Sequence, residues 1–267
     1  GGLGNDTLNG AGGNDTLFYN STSGALQINL ATGVVTGALG VDQVSNFETV
    51  VSGEGADLIV GGRGANALYG QGGDDTVNGG GGDDIVVGNA GDDSLDGSAG
   101  VDRVYGGAGN DLLGGGDDGD ELYGELGADT LNGGVGNDVL YAADDHDVLN
   151  GGGGVDTLWG GAGNDRFVFT AAGESSVETP DRINDFVAAL DLIDLSVIDA
   201  NTARKAGGDQ AFELVDGFGR KPAGQFTLTY DSASNTTRAD FQTDNDAAVE
   251  LSLIINGEVT TDQGFVL

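Results

Sequence analysis

Gly106-Gly-Ala-Gly-Asn-Asp-Leu-Leu-Gly114 is one copy of a nine-residue unit, Gly-Gly-x-Gly-x-Asp-x-apolar-x, and that unit decides the fold. Fifteen copies occur, thirteen without a gap from Ser52 to Val168 and two more over Gly1–Phe18. A fixed period of this kind is the signature of a stacked repeat architecture. The sixth position reads Asp6, Asp15, Asp57, Asn66, Asp75, Asp84, Asp93, Asp102, Asp111, Asp120, Asp129, Asp138, Asp147, Asp156 and Asp165. The eighth position is apolar in every copy, from Leu8 and Leu17 to Leu158 and Phe167. Glycine holds the fourth position except at Asp118 and Asp145.

Short strands separated by glycine-rich turns at this spacing cannot make an ordinary hairpin sheet. Three-residue strands and six-residue turns can instead wind a helix of strands, two units to an 18-residue coil, with two parallel sheets and a core of eighth-position side chains. Parallel strands then stack at about 4.8 Å per coil.

Three regions follow. Residues 1–51 hold the two early repeats and a degenerate coil: Gly37–Ser45 is a disguised sixteenth copy, with Gly40, Asp42 and Val44 in the expected columns. Tyr19–Thr36 fills the length of two units, and the alternation in Ala25-Leu-Gln-Ile-Asn-Leu30 predicts longer strands in the same stack. Asn46–Val51 resets the register. Residues 52–168 are the thirteen-copy array. In residues 169–267 glycine falls and apolar residues rise. Ile183, Phe186, Leu190, Leu192, Ile193, Leu195, Val197 and Ile198 could bury a small core there. Gln225–Tyr230 and Ala248–Ile255 read as antiparallel strands. This last region is expected to be a β-rich cap, which a solenoid end needs for solubility.

Forty-four acidic residues against nine basic ones give a net charge of -35. Phosphate recognition requires Lys and Arg, so nucleic acid is excluded as a partner and anionic membranes are disfavoured. Multivalent cations are the natural counter-charge. There are no cysteines, so disulfides and thiolate metal sites are unavailable. No segment is long and apolar enough to span a bilayer, and no N-terminal signal peptide is visible. The chain has no methionine and opens inside a repeat, which reads as a fragment of a longer protein.

The turns carry the chemistry. Calcium takes six to eight oxygen ligands at about 2.3–2.6 Å. The sixth-position aspartates supply charged oxygens, and the fourth-position glycines Gly73, Gly82, Gly91, Gly100, Gly109, Gly127, Gly136, Gly154 and Gly163 supply turn carbonyls. Asp75, Asp93, Asp111 and Asp129 should line one edge of the coil and Asp84, Asp102, Asp120 and Asp138 the other. Ions shared between successive turns would number up to about eleven in the array. Because such sites exist only in the coil, binding contributes directly to folding. The bland alternative is that the aspartates are solvated turn residues, but turn preference does not place one residue at every ninth position.

The repeated unit resembles that of RTX proteins, whose arrays fold as calcium-bound β-rolls. The third region is similar to the C-terminal domain of serralysin-type metalloproteases, which recurs on other secreted RTX proteins such as alginate epimerases. Gly163-Asn-Asp-Arg-Phe-Val-Phe169, Glu174-Ser-Ser176, Asp181-Arg-Ile-Asn-Asp-Phe186 and Asp194-Leu-Ser196 carry that resemblance. It implies that Glu174 and Asp181 bind calcium at the end of the roll. It further implies export from a bacterium by a type I secretion apparatus reading an uncleaved C-terminal signal, then folding in extracellular calcium. The tail Asp262-Gln-Gly-Phe-Val-Leu267 departs from related signals, in which an acid directly precedes the last apolar residues.

No His-Glu-x-x-His or Gly-x-Ser-x-Gly motif occurs, and the single histidine, His146, lies in a repeat turn. The chain therefore reads as a non-catalytic module, and a protease, hydrolase or epimerase activity would belong to an upstream domain. The ninth position adds one asymmetry. Tyr69, Tyr105, Tyr123, Tyr141 and Trp159 fall on one outer face, with Val87 in the gap. That ladder is either a platform for sugar rings, making this a polysaccharide-binding or cell-surface module, or a surface that packs on itself or on another domain.

Overall fold

The computed structural model describes residues 2–19, 24–38, 40–198, 213–214, 225–242, 251–259 and 265–266. Among the described residues every regular element is a β-strand, and the strands form two sheets of thirteen. None is a helix that could cross a membrane. From Leu58 onward successive units alternate between the sheets. Each strand pairs in parallel with the one 18 residues further on: Leu68 lies beside Val86 and Val86 beside Val104. Two units make one coil, as the period predicts. The chain is an all-β parallel solenoid.

Inward and outward side chains alternate because a strand repeats every two residues. The sixth, eighth and following first positions turn inward, and the seventh and ninth turn out. Val104, Leu113, Leu122, Leu131 and Leu140 are wholly buried, as are Asp102 and Asp138. Burying one aliphatic side chain is worth about 1.5–3 kcal/mol. A coil has only two of them, so its core is slender and shares its interior with carboxylates.

The first and last array strands, Leu58–Val60 and Arg166–Val168, have the expected three residues, but those between them are about twice that length. Ala67–Gly72, Thr76–Gly81 and Ile85–Ala90 each run six residues, leaving three-residue turns. The cause lies in the second position of the unit, where Gln71, Gly80 and Asn89 have φ of 78°, 101° and 77°. This left-handed step bends the chain at the first-position glycine, after which pairing resumes: Tyr69 and Gln71 are paired and Gly70 is skipped.

The N-terminal region departs further from expectation. Gln27–Asn29 and Val34–Gly37 do join the stack, Gln27–Asn29 lying parallel to Leu58–Val60, but they are short and paired with each other as an antiparallel hairpin. Gly40–Ser45 then lies parallel to Thr7–Asn9, with Val44 beside Leu8, so the disguised copy sits in the predicted register. Thr49–Val51 bridges Thr16–Phe18 and Ala67–Gly72 in the other sheet.

Both sheets continue past Val168. Asp181–Ile183 stacks on Thr157–Ala162, and Leu192–Asp194 on Arg166–Val168. An antiparallel meander of Leu251–Asn256, Thr236–Gln242 and Gln225–Asp231 then extends one sheet. Ile183, Phe186, Ile193, Leu195 and Ile198 are buried, whereas Leu190, Leu192 and Val197 are exposed because they occupy turn or outward strand positions. Ala248–Glu250 lies outside the described residues, as does the tail except for Phe265–Val266, which pairs with Ile193–Asp194.

Candidate metal centre along the two turn ladders

The sixth-position aspartates stack in two continuous ladders, one on each edge. The backbone N–H of Asp75 donates to Asp93 Oδ1 at 2.7 Å, Asp93 to Asp111 at 2.8 Å and Asp111 to Asp129 at 2.8 Å. On the other edge Asp84 donates to Asp102 at 2.7 Å, Asp102 to Asp120 at 2.8 Å and Asp120 to Asp138 at 2.8 Å. One carboxylate oxygen of each residue is thus used. The second, Oδ2, is buried without a donor at Asp75, Asp84, Asp93, Asp102, Asp111, Asp120, Asp129, Asp138, Asp147, Asp156 and Asp165, and also at Asp15 and Asp181.

Orphaned buried carboxylate oxygens are costly, and a row of them needs a cationic partner. From Asp75 to Asp165 a first-position glycine makes room for each except Asp147, whose unit opens on Ala142. The β-carbon that Gly115 lacks would stand 2.4 Å from Asp120 Oδ2 and 2.5 Å from the carbonyl oxygen of Gly133 on the next coil. Carboxylate and carbonyl oxygens of neighbouring coils therefore converge. The donor set is all oxygen, which suits a hard divalent ion such as calcium. Among the described residues no three His, Cys, Asp or Glu side chains form a closed cluster, so carbonyls must complete any such site.

The carboxylates respond to this setting. Burial raises the pKa of Asp75, Asp120, Asp138 and Asp147 to about 7. In each the backbone N–H bond from the preceding coil opposes the rise and the charge of stacked neighbours adds to it.

The fourth position is left-handed from Gly73 to Gly154, though not at Gly55 or Gly64 where the array begins. Gly73, Gly82, Gly91, Gly100, Gly109, Gly127, Gly136 and Gly154 all have positive φ, and the two exceptions to glycine, Asp118 and Asp145, have φ of 74° and 79°. Aspartate is among the few other residues that visit this region. Gly163 does not share it.

At the C-terminal end Asp156 N–H donates to Asp181 Oδ1 at 2.8 Å, so Asp181 continues the ladder that runs through Asp84, Asp102, Asp120 and Asp138. Burial first, then the charges of Asp156 and Glu174, raise its pKa to about 8. Glu174 accepts from the N–H of Thr170 at 2.8 Å and from its hydroxyl. The structure also carries rungs that the period hid. Asp191 accepts from Asp165 N–H at 3.1 Å, and Glu48 Oε2 accepts from Asp15 N–H at 3.0 Å. Glu48 occupies a sixth position, recognisable only once Thr49–Val51 is aligned with Thr16–Phe18. Asp191 is preceded by no glycine turn.

On the outer face Tyr105, Tyr123, Tyr141 and Trp159 stack with centroids 4.8, 5.1 and 4.4 Å apart and planes within 6°, 11° and 18°. Their faces are turned on one another, so solvent meets edges and hydroxyls. A sugar ring stacks on an aromatic face, and within the ladder those faces are taken. Replacing Tyr123 with Ser removes two stacked pairs and is expected to lower stability by about 1–3 kcal/mol, read from urea unfolding in saturating calcium. An unchanged midpoint would show that the ladder contributes nothing to the coil.

The family described as Peptidase M10 serralysin C terminal matches residues 6–267. Serralysin C and serralysin A of Dickeya chrysanthemi are 33% and 32% identical over 101 residues, 38% of this chain. That segment is only 19% and 20% of the two serralysins' own length. Among solved structures, the AlgE6R2 subunit of the Azotobacter vinelandii mannuronan C5-epimerase is 24% identical, with 57% of this chain and 90% of that one covered and a TM-score of 0.45. Its AlgE6R3 subunit is also 24% identical, covering 60% and 80%, with a TM-score of 0.32.

Proposed function

The chain belongs to the peptidase M10 serralysin C-terminal family, and on that premise we propose that it is the calcium-folded RTX module of a secreted bacterial protein, exported through a type I apparatus. Its task is to keep the chain unfolded in the low calcium of the cytosol and to lock it into the solenoid outside. The observation that carries this reading is the double row of buried carboxylate oxygens without donors. The sixth-position aspartates whose Oδ2 lacks a donor and the fourth-position glycine carbonyls would hold the ions, with Glu174 and Asp181 closing the C-terminal end.

Residues 1–51, 52–168 and 169–267 are then functional parts of one stack: the N-terminal repeats with their degenerate coil, the thirteen-unit array, and a cap bearing the export signal. Any peptidase or other catalytic activity would belong to another domain of the full protein. A polysaccharide partner on the Tyr105–Trp159 face is the weaker reading, since stacked rings offer edges rather than faces.

Co-expression with a type I exporter in a bacterial host tests the proposal. The chain is expected in the medium only when the exporter is present, and to resist protease there only with millimolar calcium. Protease resistance without calcium, or retention in the cytosol beside an active exporter, would overturn it.

A further inference from the structure

The carboxylates at the N-terminal end are not in the state of those in the array. Asp42 Oδ1 accepts from Asp6 N–H at 2.9 Å, and its Oδ2 accepts from the Tyr19 hydroxyl at 2.6 Å. Asp57 Oδ1 accepts from Leu26 N–H at 2.7 Å and Oδ2 from Gly53 N–H at 3.1 Å. Asp6 Oδ2 accepts from Gly2 N–H at 2.9 Å. Position 66 is an amide, whose Oδ1 accepts from Gly62 N–H at 2.7 Å. None of these appears among the buried oxygens lacking a partner, which begin at Asp75 on one edge and Asp84 on the other, with Asp15 the one earlier case.

The backbone at the second position of the unit explains the division. Gly2, Gly53 and Gly62 lack positive φ, and their N–H groups turn onto the sixth-position side chain of their own unit. Ala11 has φ of 71°, and from Gln71 to Gly161 every second position is likewise left-handed. In those units the N–H is turned away and Oδ2 is left bare. The turn thus has two forms, one that satisfies its own carboxylate and one that presents it to a ligand. Asp42 reaches the satisfied state by another route. Burial and the adjoining Asp42 carboxylate hold the Tyr19 hydroxyl protonated, so it remains a donor.

We propose that Asp6, Asp42, Asp57 and Asn66 form a metal-free seal on the N-terminal end of the solenoid, in which the Tyr19 hydroxyl and second-position N–H groups replace calcium, and that the continuous ion ladders begin at Asp75 and Asp84. This deepens the calcium reading and rests on it. The seal gives the stack an end whose carboxylates are satisfied by the chain itself, whereas ladder carboxylates need an ion between two coils.

Native mass spectrometry of the full chain in calcium counts bound ions. Asp42→Asn and Asp57→Asn are expected to leave the count unchanged, and Asp93→Asn to lower it by at least one. A loss of ions from Asp57→Asn equal to that from Asp93→Asn would overturn the seal. Should either N-terminal variant fail to fold, anomalous diffraction from calcium-grown crystals of the unaltered chain decides the matter. Peaks between Asp75 and Asp93 with none ligated by Asp42 or Asp57 support the seal, and an ion on either residue defeats it. An unchanged count in Asp93→Asn would instead bring down the calcium reading itself, and the seal with it.

Discussion

Removing calcium is expected to convert the solenoid to an unfolded coil, and restoring it to refold the chain cooperatively. Far-ultraviolet circular dichroism during titration from chelator into millimolar calcium measures this directly. The effect is large because ion binding and folding are one equilibrium. A site at a hundredfold excess of ligand over Kd contributes about 2.7 kcal/mol, so ten such sites would contribute about 27 kcal/mol. A domain's net stability is typically about 5–15 kcal/mol, less than that sum. Magnesium should substitute poorly, since it demands near-octahedral geometry at about 2.0–2.1 Å and keeps its waters. A β signal indifferent to chelator would mean that the ladders are not what holds the coils together.

Acid should partly replace calcium through the same carboxylates. Burial raises the folded pKa of Asp75, Asp120, Asp138 and Asp147 from 3.8 to about 7, and that of Asp181 to about 8. The folded state then binds more protons than the unfolded one between these values, so stability falls as pH rises through that window. In chelator, β structure is accordingly expected to be greater at about pH 5.5 than at about pH 8. With calcium present the sign reverses, because ion binding needs the deprotonated carboxylate.

Most of the solenoid was legible because three columns of one unit specify three physical tasks. The sixth position supplies charge, the eighth supplies core, and the fourth supplies the turn. Parallel pairing at 18 residues follows from those columns alone, and so does the placement of Asp75 to Asp165 on two edges. The rungs at Glu48 and Asp191 were not legible, because their units lack the glycines that set the register. Strand length was misjudged for a related reason. The second position was read as one more glycine, yet Gln71, Asn89, Ser98 and Glu125 all hold left-handed φ there. Its conformation, rather than its residue type, extends the strand and decides whether a carboxylate is satisfied. The stacked state of the aromatic column was also beyond periodicity, which places rings in a row without orienting them.

Replacing Gly109, in the middle of the array, with Ala is expected to damage it severely. Gly109 has φ of 141°, and a β-carbon there would lie 1.9 Å from the carbonyl oxygen and 2.6 Å from the carbonyl carbon of Gly91. Both obstacles are backbone of the adjacent coil, so no side chain can swing aside. Relief requires either that the coils separate or that the turn adopt the form seen at Asp118, with φ of 74°. A residue forced into such a conformation costs about 1–3 kcal/mol. Separation would break an interface on which both halves depend, because each coil contacts only its neighbours. Gly81→Ala is the matched control. Its β-carbon would meet nothing nearer than 3.8 Å, and alanine already fills the same third position at Ala90, Ala99 and Ala108. The Gly109 variant should need at least tenfold more calcium to fold than the Gly81 variant, which should match the parent chain. Equal calcium midpoints for the two would mean that the fourth-position glycine column does not set the approach of successive coils, and that the ladder spacing is imposed by the sheets alone.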